Sequence, residues 1–320
     1  MMEKKIIAVV GATGAQGGAV VAALLNDPSG EFAVRAITRN SDSDKSIALA
    51  KKGAEVIEAD ISDKSSLVKA FKGAYGAFCV TFFWEHFSPE KEMDNARNMA
   101  EAAKEAELSH VIWSTLEDTR RWVPLEDNSM PTLMGKYKVP HFDAKGVSNA
   151  YFERSGVPYT LLLTSFFWEN FIYFGAEPQK GPDGDLAITF PLAEAKMPGI
   201  AVADIGKCVL GILKEGNKYL GKTVGIAGEH LSGLEMAEIF TKVLGKKVKY
   251  NAVPPEMYRS FGFPGAEDLG NMYQFKTQFE SIFRKARNVD ESRKLNPELQ
   301  TFEAWLLKNR AKIPVHTETA

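Results

Sequence analysis

Residues 6–18 read IIAVVGATGAQGG, and this stretch decides the fold of the 320-residue chain. Residues 6–10 form an apolar run with the length and composition of a strand that is buried on both faces. Gly11, Gly14 and Gly17 follow at a spacing of three, and the small apolar residues after them predict a helix. The stretch therefore predicts a strand, a tight glycine turn and a helix, in that order.

The three glycines suit a turn that holds the pyrophosphate of a dinucleotide. In such a turn the first glycine allows the sharp change of direction, the second leaves room for phosphate, and the third lets helix and strand pack closely. Backbone amides and the positive end of the helix dipole then face the anion. Because the glycines lie between a strand and a helix, we predict a dinucleotide site rather than a plain turn.

Composition places the chain among ordinary soluble globular proteins, with 45% hydrophobic and 25% charged residues. The net charge of −2 offers no electrostatic field that would recruit nucleic acid or an anionic membrane. No apolar stretch reaches the length of about 18 residues that a membrane-spanning helix needs, and the first strand begins too early to follow a signal peptide. The cytoplasm is the expected compartment, with entry to the nucleus left open.

Cysteine and histidine usage predicts no metal site. Cys79 and Cys208 lie in apolar segments without metal-like spacing, so we expect core residues rather than a disulfide or a ligand pair. Four histidines also lack such spacing, and structural or surface roles are expected for His86, His110, His230 and His316.

Predicted strands and helices alternate through the first half of the chain. The strands are expected at 32–38, 55–59, 75–80, 110–114 and 159–163, and the helices at 64–71, 90–107 and 142–154. This order predicts an α/β fold with a Rossmann-type doubly wound parallel sheet, which binds ligands at the carboxyl ends of its strands. Helix caps are predicted at Asp63, at Asp204, and at Ser232, the last in a capping box with Glu235.

The chain is predicted to form two domains. Residues 1–164 would be the NADP-binding Rossmann domain, and residues 165–320 a smaller α/β domain that completes the cleft. A segment at about 200–228 is expected to return to the main sheet. Residues 116–140 contain three prolines and predict an irregular loop over the cleft.

The choice of cofactor is made near the end of the second strand, where an acid holds the ribose of NAD and an arginine suits the 2′-phosphate of NADP. The chain has Arg39 there and no adjoining acid, so the guanidinium is expected to be free for phosphate. A solvated surface arginine is the alternative. Asp60 and Ile61 are placed to flank the adenine, and Thr81 and Phe82 lie nearer the nicotinamide. We therefore predict NADP(H).

The catalytic apparatus of short-chain dehydrogenases is incomplete in this sequence. Those enzymes use a serine and a Tyr-x-x-x-Lys pair, whose tyrosine transfers the proton that accompanies hydride. No tyrosine here has a lysine four residues later; the position reads His141 to Lys145, and Ser114 ends the fifth strand. Either His141 is the proton donor, since imidazole titrates near neutral pH, or both residues only bind or frame the cofactor. The second alternative is favoured, because structural histidines are the commoner case.

Eight segments, in order along the chain, carry a family resemblance. They are GATGAQGG at 11–18, VRAITRN at 34–40, GAEVIEAD at 53–60, GAYGAFCVTFFWE at 73–85, HFDAKG at 141–146, FWEN at 167–170, PQKGPDG at 178–184 and GFPGAEDLGNM at 262–272. With these segments the chain resembles the NmrA-like family of atypical short-chain dehydrogenases. The resemblance implies a Rossmann domain plus a smaller α/β domain, with NADP(H) in the cleft between them.

The resemblance also implies which residues hold the cofactor. Gly11, Thr13, Gly14, Ala15 and Gln16 would cradle the pyrophosphate, Arg39 the 2′-phosphate, and Asp60 and Ile61 the adenine. Thr81 and Phe82 would line the nicotinamide half, Lys145 would reach the ribose, and Phe167, Trp168, Glu169 and Asn170 match a segment that closes over the nicotinamide. Phe83 stands where the family usually has tyrosine, so a hydroxyl is missing there.

Family membership does not settle the activity. Sensor members lack the dehydrogenase tyrosine and respond to NADPH and NADP levels, whereas other relatives reduce quinones or phenylpropanoids. The first hypothesis is an NADP(H)-binding regulator whose loops at 82–90 and 166–174 are ordered by the cofactor. The second is an NADPH-dependent reductase of a quinone-like or aromatic molecule, with Lys145 or His141 as the acid.

Partners are predicted only in outline. A regulator that contacts DNA directly is disfavoured by the near-neutral charge and by the lack of a recognition-helix motif. Relatives suggest a homodimer, and another protein partner stays open. The insertion at 116–140, with Trp122 and Met134, departs from the family and could form a substrate pocket or a partner surface.

Overall fold

The computed structural model describes residues 4–181 and 184–315. Its strands, in chain order, are β1 (Lys5–Val9), β2 (Phe32–Thr38), β3 (Glu55–Glu58), β4 (Gly76–Cys79), β5 (His110–Thr115), β6 (Tyr159–Leu163), β7 (Phe166–Phe167), β8 (Gln179–Lys180), β9 (Leu186–Phe190), β10 (Met197–Ile200), β11 (Lys222–Gly225), β12 (Glu229–Leu231) and β13 (Val248–Ala252). Its α-helices are α1 (Ala15–Leu25), α2 (Asp44–Lys51), α3 (Lys64–Phe71), α4 (Pro89–Glu105), α5 (Pro140–Ser155), α6 (Asn170–Tyr173), α7 (Val202–Lys214), α8 (Gly233–Leu244), α9 (Pro255–Arg259), α10 (Ala266–Gln278), α11 (Glu280–Lys285), α12 (Val289–Leu295) and α13 (Phe302–Asn309).

The centre of the molecule is a seven-stranded sheet in the order β11-β6-β5-β4-β1-β2-β3, in which every neighbouring pair is parallel. The order runs outward in opposite directions from β1 and β4, so the carboxyl ends of these two strands open at a topological switch point. The predicted Rossmann-type doubly wound fold is confirmed.

Helices cover both faces of the central sheet. Ile7 and Val9 of β1 pack in one cluster with α1 and α7, while Ala8 points to the opposite cluster, under α3, α4 and α5. A close crossing joins α1 to α7, because a Cβ at Gly206 would lie 2.1 Å from the carbonyl oxygen of Ala19. Only glycine fits there, since larger side chains would push the two helices apart.

The second half of the chain builds two smaller sheets, β12-β10-β7 and β13-β9-β8. Their core is aromatic, with Phe171 in contact with Phe190, Phe240 and Phe302 at ring centroid distances of 5.0–6.1 Å. The chain also returns to the first half, because β11 pairs with β6 in the central sheet. The predicted division of the chain at residue 164 stays a prediction.

Local capping signals were informative at two of three positions. Asp63 accepts a hydrogen bond from the amide of Ser65, and Ser232 forms the predicted capping box. The prediction for Asp204 is wrong: α7 begins after Ala201, and the carboxylate of Asp204 is buried inside the helix. There it accepts hydrogen bonds from Asn296 Nδ2 and from the amide of Gln300, each 3.0 Å long. This carboxylate therefore ties α7 to the chain after α12.

Candidate functional site

The glycine turn between β1 and α1 has the geometry that a dinucleotide needs. Gly11 has a φ of +65°, and a Cβ at Gly17 would lie 2.2 Å from the carbonyl oxygen of Gly11. The first amides of a helix have no intrahelical partner, and Gly14, the N-cap of α1, offers no side chain to cap them. The turn therefore fits a pyrophosphate. The other predicted members of the turn, Thr13, Ala15 and Gln16, reach the surface.

Arg39 lies at the end of β2, but it is not free of carboxylates as expected. Its Nη1 lies 2.5 Å from Oε1 of Glu85, which follows β4. Both side chains are about half exposed or more, at 67% and 47%. The residues next to Arg39 in sequence do not predict this contact. Glu85 is distant in sequence and comes close to Arg39 only because of the order of the strands in the sheet.

The predicted adenine residues form a compact loop after β3. Asp60 Oδ1 accepts hydrogen bonds of 2.8 Å from both the amide and the hydroxyl of Ser62. These bonds lower the pKa of the Asp60 carboxyl, so it is charged at neutral pH. The carbonyl of Ile61 accepts a bond from Asn98 of α4. Both residues lie at the same edge of the sheet as Arg39, as parallel pairing requires.

Lys145 and Thr81 meet at the carboxyl end of β4 around a carboxylate that sequence reasoning missed. Lys145 Nζ lies 2.7 Å from Oε1 of Glu92 and donates a 2.6 Å hydrogen bond to Oγ1 of Thr81. Thr81 Oγ1 in turn donates to Glu92 Oε1 at 2.6 Å. All three side chains are buried. In sequence, Glu92 is an ordinary acid in the first turn of a helix, so only the fold reveals its partner.

Ser114 connects the end of β5 to the glycine turn. Its hydroxyl donates a 2.7 Å hydrogen bond to Gln16 Oε1 in the first turn of α1. Phe82 is 52% exposed, whereas Phe83 beside it is buried. The two rings therefore face different surroundings: Phe82 reaches solvent, whereas Phe83 lies in the wall of a cavity described below.

His141, at the position of the dehydrogenase tyrosine, is bound to the second half of the chain. Its amide and its Nδ1 both contact the carboxylate of Asp268 in α10, at 3.1 and 2.6 Å. The ring is buried beside Trp84, whose centroid lies 4.7 Å away. The structure thus brings Ser114, Lys145 and His141 to the same region, but it links Lys145 to Glu92 and His141 to Asp268.

The segment predicted to close over the nicotinamide is partly turned inward. The Trp168 ring is buried against Phe302 and Trp305. Glu169 accepts hydrogen bonds from the amide of Val202 and from Trp305 Nε1, and burial raises the pKa of its carboxyl. Trp168 thus belongs to the core and Glu169 is half-buried, and their predicted role at the nicotinamide stays a prediction. The role of their half-buried neighbours Phe167 and Asn170 likewise stays a prediction.

A cavity of about 410 Å³ opens beside the region around His141. It lies between the turn after β4, the end of the 116–140 insertion and the segment before α10. Most of its wall is apolar, and the aromatic and sulfur-bearing residues are Phe83, Phe87, Met134 and Phe263. Asp268, the partner of His141, lines it as well. Trp122 lies elsewhere in the insertion, against Phe275.

The cysteines and the remaining histidines divide between core and site. Cys79 and Cys208 are buried free thiols, and burial raises the pKa of each, which confirms the core prediction. His110 is buried against Thr160, and burial lowers its pKa to about 4. His86, for which a structural or surface role is expected, lies 3.4 Å from Glu92. The prediction for His230 fits its bond to a backbone carbonyl, and His316 lies outside the described residues.

Among the described residues, no group of three or more histidine, cysteine or acidic side chains is arranged to hold a metal ion. None of the helices in that part of the chain combines the length and the apolar character that crossing a membrane requires.

A parallel doubly wound sheet with a glycine turn after its first strand places the chain in the class of Rossmann-type, dinucleotide-binding folds. Within that class the chain belongs to the NmrA-like family, whose model matches residues 3–306. The match covers both halves of the chain, so the family resemblance seen in the motifs is confirmed.

Similar sequences include fungal proteins named as oxidoreductases. The chain is 32% identical over 289 residues to the NmrA-like family domain-containing oxidoreductase FrzB of Cladobotryum sp., covering 84% of this chain and 83% of that protein. It is 29% identical over 342 residues to the oxidoreductase ptmS of Penicillium ochrochloron, covering 96% and 98%.

Similar solved structures include a regulator and a reductase. NmrA, a negative transcriptional regulator solved in complex with NADP, has a TM-score of 0.77 at 22% identity and covers 96% of this chain and 95% of its own. Triphenylmethane reductase of Citrobacter sp., complexed with NADP(H), has a TM-score of 0.74 at 21% identity, with coverages of 96% and 99%. At these identities the likeness establishes the fold alone.

Proposed function

We propose that this protein binds NADP(H) and acts as a regulator that responds to the state of the nicotinamide, without conventional dehydrogenase turnover. The observation that carries the proposal is the position of the turn at residues 83–87. Glu85 contacts Arg39, the residue predicted for the 2′-phosphate, and His86 contacts Glu92, the carboxylate paired with the site lysine. One short segment therefore touches both ends of the predicted cofactor site.

The same segment lines the surface cavity. Phe87 has a φ of +53°, and Met134 on another wall has a φ of +51°, a conformation that is strained for bulky residues. A cofactor that moves the turn would alter an apolar surface that a second subunit or another protein can read. The switch requires NADPH and NADP⁺ to stabilise two conformations of the turn to different extents. A cofactor that binds both conformations equally well, however tightly, does not change their populations. The partner and a cytoplasmic location stay predictions.

The preference for NADP(H) rests on Arg39. NmrA has been solved with NADP and also with NAD, so a similar fold accepts either cofactor. A guanidinium at the end of β2 favours the extra phosphate because it offers several donors to the phosphate oxygens. The glycine turn supports binding of the pyrophosphate that both cofactors share.

Hydrogen exchange tests the regulator directly. We expect amides in residues 82–90 and 166–174 to exchange more slowly with NADPH bound than without it, and to a different extent with NADP⁺. Identical exchange in the two redox forms, at saturating cofactor, would exclude these loops as the element that distinguishes them. Amides of β1 serve as the internal control, since that strand lies at the centre of the sheet.

A second candidate function is reduction of a quinone-like or aromatic small molecule with NADPH. It is favoured by the contact between Asp268 and His141, which orients the imidazole through Nδ1 beside an apolar cavity. Among the described residues, Nε2 of this histidine has no hydrogen-bond partner. When protonated, an imidazole held in this way by a carboxylate can donate its Nε2 proton and is then neutral, with Nδ1 still bound to the carboxylate.

Loss of NADPH absorbance against a panel of quinones, aldehydes and enones separates the two functions. Turnover that is abolished in both Lys145→Ala and His141→Phe would establish a reductase. Saturable NADPH binding without turnover across the panel would favour the regulator. Arg121→Ala, an exposed change that touches neither site, is the matched control.

A further inference from the structure

Glu92 is a carboxylate without solvent exposure in a helix that otherwise carries its acids on the surface. The helix α4 begins after Ser88, whose hydroxyl accepts a hydrogen bond from the amide of Lys91. Glu90 in the same turn is exposed and pairs with Lys136, whereas Glu92 is 0% exposed. Burying a carboxylate costs free energy unless it is paired and hydrogen-bonded. The partners of Glu92 must therefore compensate for the cost of its burial.

One oxygen of Glu92 fixes the direction of the Lys145 ammonium. Oε1 accepts from both Lys145 Nζ and Thr81 Oγ1, and the lysine also donates to that hydroxyl. Three polar atoms thus form a closed triangle with sides of 2.6–2.7 Å. An ammonium has three hydrogens. Within the described residues, the remaining hydrogen has the carbonyl of Thr81 as its acceptor at 3.3 Å, so it is weakly held and open to a better acceptor.

The other oxygen of Glu92 faces His86. The amide of Ser88 donates to Nδ1 of this histidine at 3.1 Å, so Nδ1 carries no hydrogen and the neutral ring is protonated at Nε2. Nε2 lies 3.4 Å from Glu92 Oε2, which has no well-formed hydrogen bond within the described part of the chain. The carboxylate therefore commits its stronger contacts to Lys145 and Thr81.

The Glu92 carboxyl is ionised at neutral pH. Burial favours the neutral carboxyl, but the charge of Lys145 and the hydrogen bonds to Glu92 outweigh it and lower the pKa of Glu92 to about 2. The Lys145 ammonium also lies 5.2 Å from the centre of the Trp113 ring, a face that attracts cations. Its surroundings thus stabilise a charged, oriented ammonium.

We propose that Glu92 is the positioning residue of Lys145, holding the ammonium charged and directed so that its weakly held hydrogen meets the ribose of the bound cofactor. The inference rests on the proposed NADP(H) binding. The competing explanation is a plain structural tie between α4 and α5, in which Glu92 affects the cofactor only through stability. The two explanations differ in whether the effect of Glu92 on binding passes through Lys145.

A double-mutant cycle on the NADPH dissociation constant tests the proposal. Glu92→Gln and Lys145→Met are each expected to weaken binding by about tenfold or more, the scale of a lost hydrogen bond to a charged group. The double variant is expected to bind no more weakly than Lys145→Met, because Glu92 has then lost the group it acts through. Glu90→Gln is the matched control and should bind like the native protein.

If Glu92→Gln weakens NADPH binding by the same factor in the native protein and in Lys145→Met, the proposal is overturned. If Glu92→Gln alone does not fold, the comparison of Lys145→Met with the double variant still decides. Replacing both members of a buried pair is often neutral for folding. A double variant that binds NADPH more weakly than Lys145→Met would show that Glu92 acts independently of the lysine.

The pH dependence of binding gives a readout that a structural tie would not move. With Gln at position 92, the buried ammonium has no counter-charge and loses its proton more readily as pH rises. NADPH affinity of Glu92→Gln should therefore fall between pH 7 and pH 9 relative to the native protein, while Glu90→Gln follows the native profile. Parallel profiles for Glu92→Gln and the native protein would contradict the proposal.

Failure of the inference and failure of the proposed function give different results. If the native protein shows no saturable NADPH binding, the proposed function is wrong. If the native protein binds NADPH and Lys145→Met binds equally well, the function stands and the role of Glu92 is overturned. Turnover measurements are not needed for either outcome.

Discussion

The guanidinium of Arg39 lies 2.5 Å from the carboxylate of Glu85, which joins the end of β2 to the turn after β4. Exposed ion pairs contribute little to stability, because water screens the charges and both side chains lose freedom. A phosphate carries more charge than a carboxylate and accepts several hydrogen bonds from a guanidinium. Arg39 can therefore exchange Glu85 for a phosphate at low cost.

Replacing Arg39 with alanine should weaken NADPH binding by about tenfold or more, on the scale of hydrogen bonds between charged groups, and hardly affect NADH. The reason is that only NADPH carries the 2′-phosphate. Titrations of the two cofactors into the native protein and Arg39→Ala measure the effect. Equal weakening of both would remove the argument for the 2′-phosphate.

Glu85→Gln is the complementary change. It removes the charge that competes for Arg39, so NADPH affinity should rise slightly or stay unchanged while NADH affinity is constant. A large loss of NADPH affinity in this variant would mean that Glu85 orients Arg39 for the phosphate rather than competing with it. The same titrations decide between these outcomes.

The glycine turn offers a matched pair of substitutions. A Cβ at Gly17 would lie 2.2 Å from the Gly11 carbonyl oxygen, whereas one at Gly18 would lie 3.4 Å from that of Ala12. Gly17→Ala should therefore cost roughly 1–3 kcal/mol in free energy of unfolding, as overpacking does, and should weaken NADPH binding. Gly18→Ala should gain up to about 1 kcal/mol from helix propensity. Urea unfolding and NADPH titration of both variants provide the check, and equal behaviour of the two would contradict the close packing.

Features set by neighbours in sequence were predictable, and features set by the fold were not. The glycine turn and the capping box at Ser232 follow from local spacing, and the structure confirms both. Asp204 resembles a cap locally, but its partners lie about ninety residues further along the chain. Long-range ionic contacts of this kind leave no periodic signal.

The candidate site likewise combines features that the local sequence predicts with features that only the fold determines. The sequence predicted Lys145 from its position four residues after His141, but Glu92 reaches the lysine only because α4 and α5 lie side by side, and His86 contacts Glu92 in turn. Trp168 was assigned to a cofactor by resemblance, whereas its ring fills the aromatic core of the second half. A motif fixes where a segment lies along the chain, and packing decides which way each side chain points.

A buried ion pair connects the start of the insertion to the segment between α11 and α12. Arg287 is fully buried and donates to both oxygens of Glu117, at 2.5 and 2.9 Å, while its guanidinium stacks over Phe283. Glu117→Gln would leave the buried Arg287 without a counter-charge, although its Nε still donates to the carbonyl of Thr164, and such a loss costs about 3–5 kcal/mol in similar sites. Adding Arg287→Met removes that charge, so the double variant should be more stable than Glu117→Gln. Urea unfolding of the three proteins checks this order, and the reverse order would show that the contacts of Arg287 with Thr164 and Phe283 outweigh the cost of its unpaired charge.

Lys276 is a buried lysine enclosed by aromatic rings. It is 5% exposed, and its ammonium lies 5.5–5.6 Å from the rings of Phe142, Tyr273 and Phe283. Burial lowers its pKa to about 7, and the charge of Arg287 acts in the same direction. The unfolded chain, in which lysine has its ordinary pKa, therefore binds more protons than the folded protein between about pH 7 and pH 10.

It follows that Lys276 destabilises the fold most at neutral pH and below, and that this cost shrinks as pH rises. Lys276→Met should raise the free energy of unfolding by roughly 1–4 kcal/mol at pH 7, as replacement of buried charge does elsewhere. The gain should be smaller at pH 9.5, because the native lysine is then neutral in the fold. Urea unfolding at the two pH values measures the difference, with the exposed Lys285→Met as the control. A gain that is independent of pH would mean that the lysine stays charged inside its aromatic enclosure, and that the rings compensate for the water it has lost.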